Sequence, residues 1–351
     1  MNTAAIQFDQ FCLSSFLTFR YVVSVHAEWI PGVRPWWPAF ESAECRAVRD
    51  AAETLAALRS LVDQAVKTEP VGLLLSGGID SAILAALLPR GTPAYTVRFD
   101  GDETLDESRT AAKYARRCRL PHRVVTVTWA DYEERADLLM KHKRAPLHPV
   151  EVGLSLAASI AAADGVKTLI VGNGADSTFG GLDRLLSRDW TLDDFVKRYT
   201  FVEPSEALGD PLSLRPAFEE YLRGRHIDVS RFLKEVHGPG IIQAFENAIR
   251  VADCKCLAPY ESLFLTAPLD LMRIRNGEPK YILREIFCQL YPGLPVVKKT
   301  AFARPMDSWM KSWAGPQRAE FKPGLDMSCY SGEQKWLLYC LERFLNLLEG
   351  E

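Results

Sequence analysis

The chain has 351 residues, 48% of them hydrophobic and 25% charged, with a formal net charge of −3. That length allows one large domain or two modest ones, each with an ample core. The charge balance gives no electrostatic case for nucleic acid, and no apolar run approaches the roughly 20 residues of a membrane span. Eight cysteines are scattered along the chain. Only Cys254 and Cys256 lie close together, without the second pair that a zinc site needs. Met1–Gln7 lacks the basic start and apolar core of a signal peptide, so a cytoplasmic protein with reduced thiols is the expectation.

Residues 1–50 are rich in aromatics and are broken by Pro31, Pro35 and Pro38, which suits a segment packing across the core. From Cys45 to Thr68, apolar residues recur at three and four positions, predicting an amphipathic helix. Val71–Leu75 is a strand-length apolar run that stops at Ser76-Gly77-Gly78-Ile79-Asp80-Ser81, and an Ala/Leu-rich helix begins directly after it. Amides in such a turn and at such a helix start face outward and suit an anion. Asp80 would be repelled by a bare phosphate, so its place there implies a bridging divalent cation.

Further along, Thr92–Phe99 and His122–Thr128 read as strands on either side of a helix over Glu107–Arg119. This spacing argues for βαβ units and a parallel sheet. His142 and His148 flank Lys143, Arg144 and Pro146, a composition expected of a solvated loop. A helix over Val150–Ala163 is followed by a strand over Lys167–Val171, which runs into Gly172-Asn173-Gly174-Ala175-Asp176-Ser177-Thr178-Phe179-Gly180-Gly181. This second turn should lie at the carboxyl edge of the sheet, near the first. Asp80 and Asp176 together would hold Mg2+ against a triphosphate. After Gly181 the pattern becomes helical, with no further strand alternation. The expected organisation is an aromatic-rich connector and helix over 1–65, an α/β core over 66–181, and a helical part over 182–351.

The Ser76–Ser81 turn resembles the pyrophosphate-binding loop of the N-type ATP pyrophosphatases and lacks the Gly-x-x-x-x-Gly-Lys of the Walker loop. The Gly172–Gly181 run resembles the Gly-Glu-Gly-x-Asp-Glu-x-Phe-Gly-Gly of asparagine synthetases, in the same order after the same loop. Pro268-Leu269-Asp270, Lys280 to Arg284, and Lys298-Lys299 to Phe302 with Pro305 are similar to three further motifs of that family. On these motifs the chain is identified as asparagine-synthetase-like.

The resemblance implies an α/β fold: a parallel sheet of the adenine nucleotide alpha hydrolase-like type flanked by helices, with a mostly helical C-terminal part. It implies an ATP- and Mg2+-dependent ligase. Such an enzyme adenylates a small-molecule carboxylate, releases pyrophosphate, and passes the acyl group to ammonia or an amine. Ser76, Gly77, Gly78, Asp80 and Ser81 would bind the pyrophosphate part of ATP, with Asp176 facing them. Leu75 and Val97 would contact the nucleoside through their backbone, with Gly172 beside it. Lys299 would stabilise charge on the adenylate and departing pyrophosphate. Lys280 and Arg284 would orient a helix.

The departures from the family matter as well. Asn2 stands where those enzymes carry a catalytic cysteine, and no glutaminase domain precedes the loop, so nitrogen would come from free ammonia, an amine or a separate glutaminase. Asn173 and Ser177 replace the two family glutamates. β-Lactam synthetases also change both positions, and there a more distant Glu takes part. Glu203 lies at a similar distance and is the candidate base, its alternative being a surface or helix-capping role. Glu261 matches a family Glu, but the arginine that should follow is missing, so L-aspartate is not the expected acid. A second reading, motivated by Asn173 and Ser177, is an ATP-binding regulatory or scaffold protein without ligase chemistry. A sulfur-transferring, tRNA-modifying enzyme would need a cysteine pair and a basic face, and the chain offers neither.

Overall fold

A computed structural model of the chain describes residues 6–38, 45–101, 106–296 and 304–350. Its strands in chain order are β1 (Arg46–Val48), β2 (Val71–Leu74), β3 (Ala94–Phe99), β4 (His122–Val127), β5 (Thr168–Ile170), β6 (Leu222–Arg223), β7 (His226–Ile227), β8 (Lys255–Leu257) and β9 (Leu263–Leu265). Five of them form one parallel sheet in the order β4-β3-β2-β5-β8. β1 pairs in parallel with β9, and β6 with β7 in a small antiparallel ribbon.

The chain moves outward from β2 through β3 to β4, then returns to place β5 on the other side of β2. The gap beyond the carboxyl ends of β2 and β5 is therefore the topological switch point, where α/β sheets hold their ligands. Both glycine-rich turns leave from these two strands. The expectation that strands end at Gly181 is overturned, because β8 joins the sheet beside β5. Lys255–Leu257 is only three residues long, too short for any alternation to show in sequence.

The helices that position the site begin with α1 (Gln10–Phe19), capped by Asp9, whose carboxylate accepts from Cys12 N–H at 2.8 Å. Eight of its ten residues are buried, as a segment packed into the core requires. Next come α2 (Ala51–Thr68), α3 (Ile79–Leu87), α4 (Ser108–Cys118), α5 (Trp129–Lys143), α6 (Glu151–Ala163) and the single turn α7 (Ala175–Thr178). The second half contributes α8 (Gly238–Arg250), α9 (Tyr281–Leu290) and α10 (Gly332–Glu349). Rings of Trp129, Tyr132, Trp309 and Trp336 pack edge-to-face between α5 and α10. Among the described residues, no helix is long and apolar enough to cross a membrane.

The solvated-loop reading of residues 142–148 is overturned for Lys143 and His148, which are buried, while His142 and Arg144 are exposed. Thr128 starts α5 with a reciprocal capping box. At the other end Arg144 adopts a left-handed conformation (φ 51°) and turns the chain inward. Lys143 is thereby buried and meets the buried Glu151 at 2.6 Å. The remaining acceptor capacity of Glu151 is filled by His148 N–H at 2.7 Å and Asn247 Nδ2 at 2.6 Å. His142 Nδ1 pairs with Asn247 Oδ1 at 2.7 Å. Burial raises the Glu151 carboxyl, and Lys143 opposes that rise.

Candidate active site

The first turn is closed by its own hydroxyls. Ser81 Oγ accepts from Ser76 N–H at 3.0 Å and lies 3.0 Å from Ser76 Oγ, which accepts from Gly78 N–H at 3.2 Å. These bonds hold the turn open toward the start of α3, whose cap residue Gly78 has no side chain to satisfy the free amides. Gly77 N–H donates to the Glu107 carboxylate at 3.2 Å. An oxyanion thus already sits on the turn.

The second turn is built around α7. Gly174 takes φ +87°, and a Cβ there would lie 2.6 Å from Glu261 N and 3.0 Å from the Glu261 carboxyl carbon. Only glycine allows Tyr260 and Glu261 to close on this turn. Ser177, in place of a glutamate, is buried and donates its hydroxyl to Gly174 C=O at 3.2 Å. Tyr260 O–H reaches across to Asp80 C=O at 2.9 Å and ties the two turns together.

Lys280 joins them by charge. It caps α9 in a left-handed conformation (φ 55°), is buried, and places Nζ between Asp80 Oδ2 and Asp176 Oδ1, the latter at 2.8 Å. Gly181 makes the approach possible, since a Cβ there would overlap both Asp176 Oδ1 and Lys280 Cε. Burial alone would lower the Lys280 ammonium, but the two aspartates outweigh it and hold it above its ordinary range. The helix-orienting role expected of Lys280 therefore understates it: one ammonium bridges both acids of the site and offsets one of their two charges. Two carboxylates within reach of a single cation fit the sparse protein ligation of magnesium, which keeps water and phosphate oxygens as its other ligands. Among the described residues, no cluster of three or more metal-binding side chains exists elsewhere.

The other sequence-derived residues fall as follows. Leu75 is buried, its N–H donating to Tyr95 C=O at 2.8 Å and its C=O accepting from Thr96 Oγ1 at 2.5 Å. Val97 is half-buried on β3, where its Cγ1 would lie 3.2 Å from a Cβ on Gly153 at the start of α6. A Cβ on Gly172 would stand 3.3 Å from Asp80 Cβ, so this glycine lines the junction of the turns. Glu203 is an exposed cap of the one-turn helix Pro204–Ala207, accepting from Ser205 N–H at 3.3 Å and Ser205 O–H at 2.9 Å. Lys299, with Lys298 and Phe302, lies outside the described residues.

Glu261 is the group that sequence reasoning undervalued. Its carboxyl stands against Gly174, and burial pushes its pKa up to about 7, with Lys234 pulling weakly the other way. Beside it, Asn173 Nδ2 is buried with no hydrogen-bond partner among the described residues. A carboxyl raised toward neutrality and an amide donor without a partner among the described residues therefore flank the second turn.

Two glycine-rich turns at a switch point, one carrying an oxyanion and the other sharing a cation with it, define a nucleotide-binding α/β protein of the PP-loop type. Residues 54–245, more than half of the chain, match the asparagine synthase family, and the chain belongs to that family. Amidase chyE of Penicillium rubens is 26% identical over 174 residues, covering 43% of this chain and 26% of that protein. A putative glutamine-hydrolysing asparagine synthetase of Methanocaldococcus jannaschii is 32% identical over 121 residues, covering 33% of this chain and 22% of its own. The chain thus spans about a quarter of the length of these curated relatives. Among solved structures, NMN synthetase from Francisella tularensis is 12% identical and superposes with a TM-score of 0.27, covering 72% of this chain and all of that one. The family is one of ATP-dependent amide ligases acting on small molecules.

Proposed function

We propose that the protein is an AMP-forming amide ligase. The observation that carries this reading is the charge arrangement at the switch point: a turn that holds an oxyanion through Gly77 N–H, facing two aspartates that share one buried cation. The triphosphate of ATP would take the place of the Glu107 carboxylate on the Ser76–Ser81 turn. Asp80 and Asp176 would hold magnesium, which neutralises phosphate charge. Leu75, Val97 and Gly172 would border the nucleoside. Lys299 would face the departing pyrophosphate.

In the first step a carboxylate oxygen of the acid attacks the α-phosphorus, and the bond to pyrophosphate breaks. Asn173 Nδ2, which has no partner among the described residues, would donate to the acyl oxygen and orient the mixed anhydride. In the second step ammonia or an amine attacks the acyl carbon, AMP leaves with the bonding pair, and the nitrogen loses a proton to Glu261. Glu261 suits this task better than Glu203, because its carboxyl lies at the second turn and is raised toward neutrality, whereas Glu203 is committed to a helix cap. The nitrogen source is free ammonia, an amine, or ammonia from a separate glutaminase.

The reading is tested by incubating the protein with MgATP, a panel of carboxylic acids, and ammonium or primary amines. AMP and pyrophosphate should appear in equal amounts, and pyrophosphate should exchange into ATP when the acid alone is present. Production of ADP and phosphate instead would refute it.

A further inference from the structure

Glu107 lies 30 residues beyond Gly77 in sequence, yet its carboxylate accepts from Gly77 N–H at 3.2 Å. It stands at the cap position of its own helix, α4, with φ −74° and ψ −11°. A side-chain oxygen at a cap ordinarily accepts from an amide of the first turn. The Glu107 side chain makes no such bond and reaches across to the start of α3 instead. Within α4 its carbonyl serves, accepting from Thr110 N–H and Ala111 N–H, each at 3.0 Å.

The packing brings this contact about. A Cβ on Gly77 would lie 3.2 Å from Glu107 Cβ, 3.4 Å from Thr110 Cβ and 3.5 Å from Glu107 O, so a side chain at 77 would press the first turn of α4 away. α4 is held in place by Ala111, Tyr114 and Ala115, which share a buried core with Ile79, Ala82 and Ile83 of α3. Glu107 itself is half-buried and is not sealed in. The neighbouring acid is used differently: the Asp106 carboxylate accepts from Ser108 N–H at 2.9 Å, within its own helix start.

The amides of the first turn are unequally employed. Ser76 N–H and Gly78 N–H donate to the turn's own hydroxyls, Ser81 Oγ and Ser76 Oγ. Of these three amides, that of Gly77 is the one given to an anion. A negative group there gains from the positive end of α3 as well as from the bond. A phosphate oxygen arriving at the same N–H must displace a group of its own sign. Because Glu107 is tethered, it competes at an effective concentration of about millimolar or more, whatever the protein concentration.

We infer that Glu107 is a built-in competitor for the phosphate seat on the Ser76–Ser81 turn, keeping inorganic pyrophosphate weakly bound and hastening its release. This rests on the reading of that turn as the seat of the ATP triphosphate. ATP has its nucleoside as a second anchor and displaces the carboxylate. Cleavage between the α- and β-phosphates separates pyrophosphate from that anchor. The carboxylate then returns to Gly77 N–H as pyrophosphate leaves. A competitor of this kind weakens every ligand of the seat by one common factor and leaves a ligand without phosphate unaffected.

Titration calorimetry without acid or amine measures the competition apart from the chemistry. Glu107→Ala should bind magnesium pyrophosphate and MgATP each about tenfold more tightly than the wild type, while adenosine binds both proteins equally and reports that the variant is folded. Glu107→Gln should gain less, since its neutral amide oxygen still accepts from Gly77 N–H, though more weakly. Asp106→Asn, which removes a neighbouring charge that does not occupy the turn, should stay within twofold of the wild type. During turnover, pyrophosphate should inhibit Glu107→Ala at about a tenth of the concentration that inhibits the wild type. Equal, weaker or undetectable binding of pyrophosphate by Glu107→Ala would overturn the inference. So would a gain from Asp106→Asn as large as that from Glu107→Ala, or a matching gain for adenosine. If Glu107→Ala gains nothing while AMP and pyrophosphate still form, the competitor fails and the ligase reading stands. If the gain is found but ATP yields only ADP, the competitor stands and the ligase reading fails.

Discussion

Among the described residues, two lysine–carboxylate clusters with buried lysines differ in how completely they are satisfied. In the first, Lys143 meets Glu151 with both side chains fully buried, and each oxygen of Glu151 has a partner in the protein. In the second, Lys280 meets Asp80 and Asp176, which keep 19% and 36% of their side-chain surface exposed at the sheet's switch point. A closed pair fixes α5 against α6 and α8. A half-open cluster beyond the strand ends leaves carboxylate surface accessible to a ligand, and that difference separates the two.

The comparison can be broken by mutation. On the proposed function, Asp80→Ala should lower ATP turnover on the order of 10⁴-fold, since it would remove a ligand to the ion that neutralises the triphosphate; initial rates with native-like circular dichroism would check this. Lys143→Met should cost about 3–5 kcal/mol of stability, because Glu151 is left buried and unpaired. Mg2+ should not restore that loss, because it has no access to the closed pair. Lys280→Met should also destabilise, but there Mg2+ should restore much of the loss by taking the vacated place between Asp80 and Asp176. Equal indifference of both variants to Mg2+ would erase the distinction.

Smaller effects sharpen the assignment of the base. Glu261→Gln should lower turnover by about 10²-fold, the scale of a lost proton acceptor. In the wild type the rate should rise with pH through about 7, because the protonated carboxyl below that value cannot accept a proton, and the variant should lose this limb. The same group sets a stability slope. Its folded pKa lies above the ordinary 4.5, so its contribution is complete below 4.5 and is lost as pH rises through about 7. At pH 8 Glu261→Gln should accordingly be more stable than wild type, on the order of 2 kcal/mol by denaturant titration.

Much of the second cluster was legible in sequence. Ser76–Ser81 and Gly172–Gly181 each follow an apolar run, and small residues at fixed spacing announce a turn wherever the backbone must approach a ligand. Lys280 was legible as a motif position but not as a cation between two acids, since a left-handed cap and the absent Cβ of Gly181 bring it there. Lys143 and His148 read as solvated because charge and proline suggest a loop, and only the inward turn at Arg144 buries them. β8 is too short to show a period. Glu261 lies 87 residues beyond Gly174, and no local pattern reports that its carboxyl stands against that turn.

The most direct test of the account follows the oxygen. An acid labelled with ¹⁸O in its carboxylate, turned over with MgATP and an amine, should pass one label to the phosphate of AMP for each amide formed. Unlabelled AMP, or label found in inorganic phosphate beside ADP, would contradict adenylation at the Ser76–Ser81 turn.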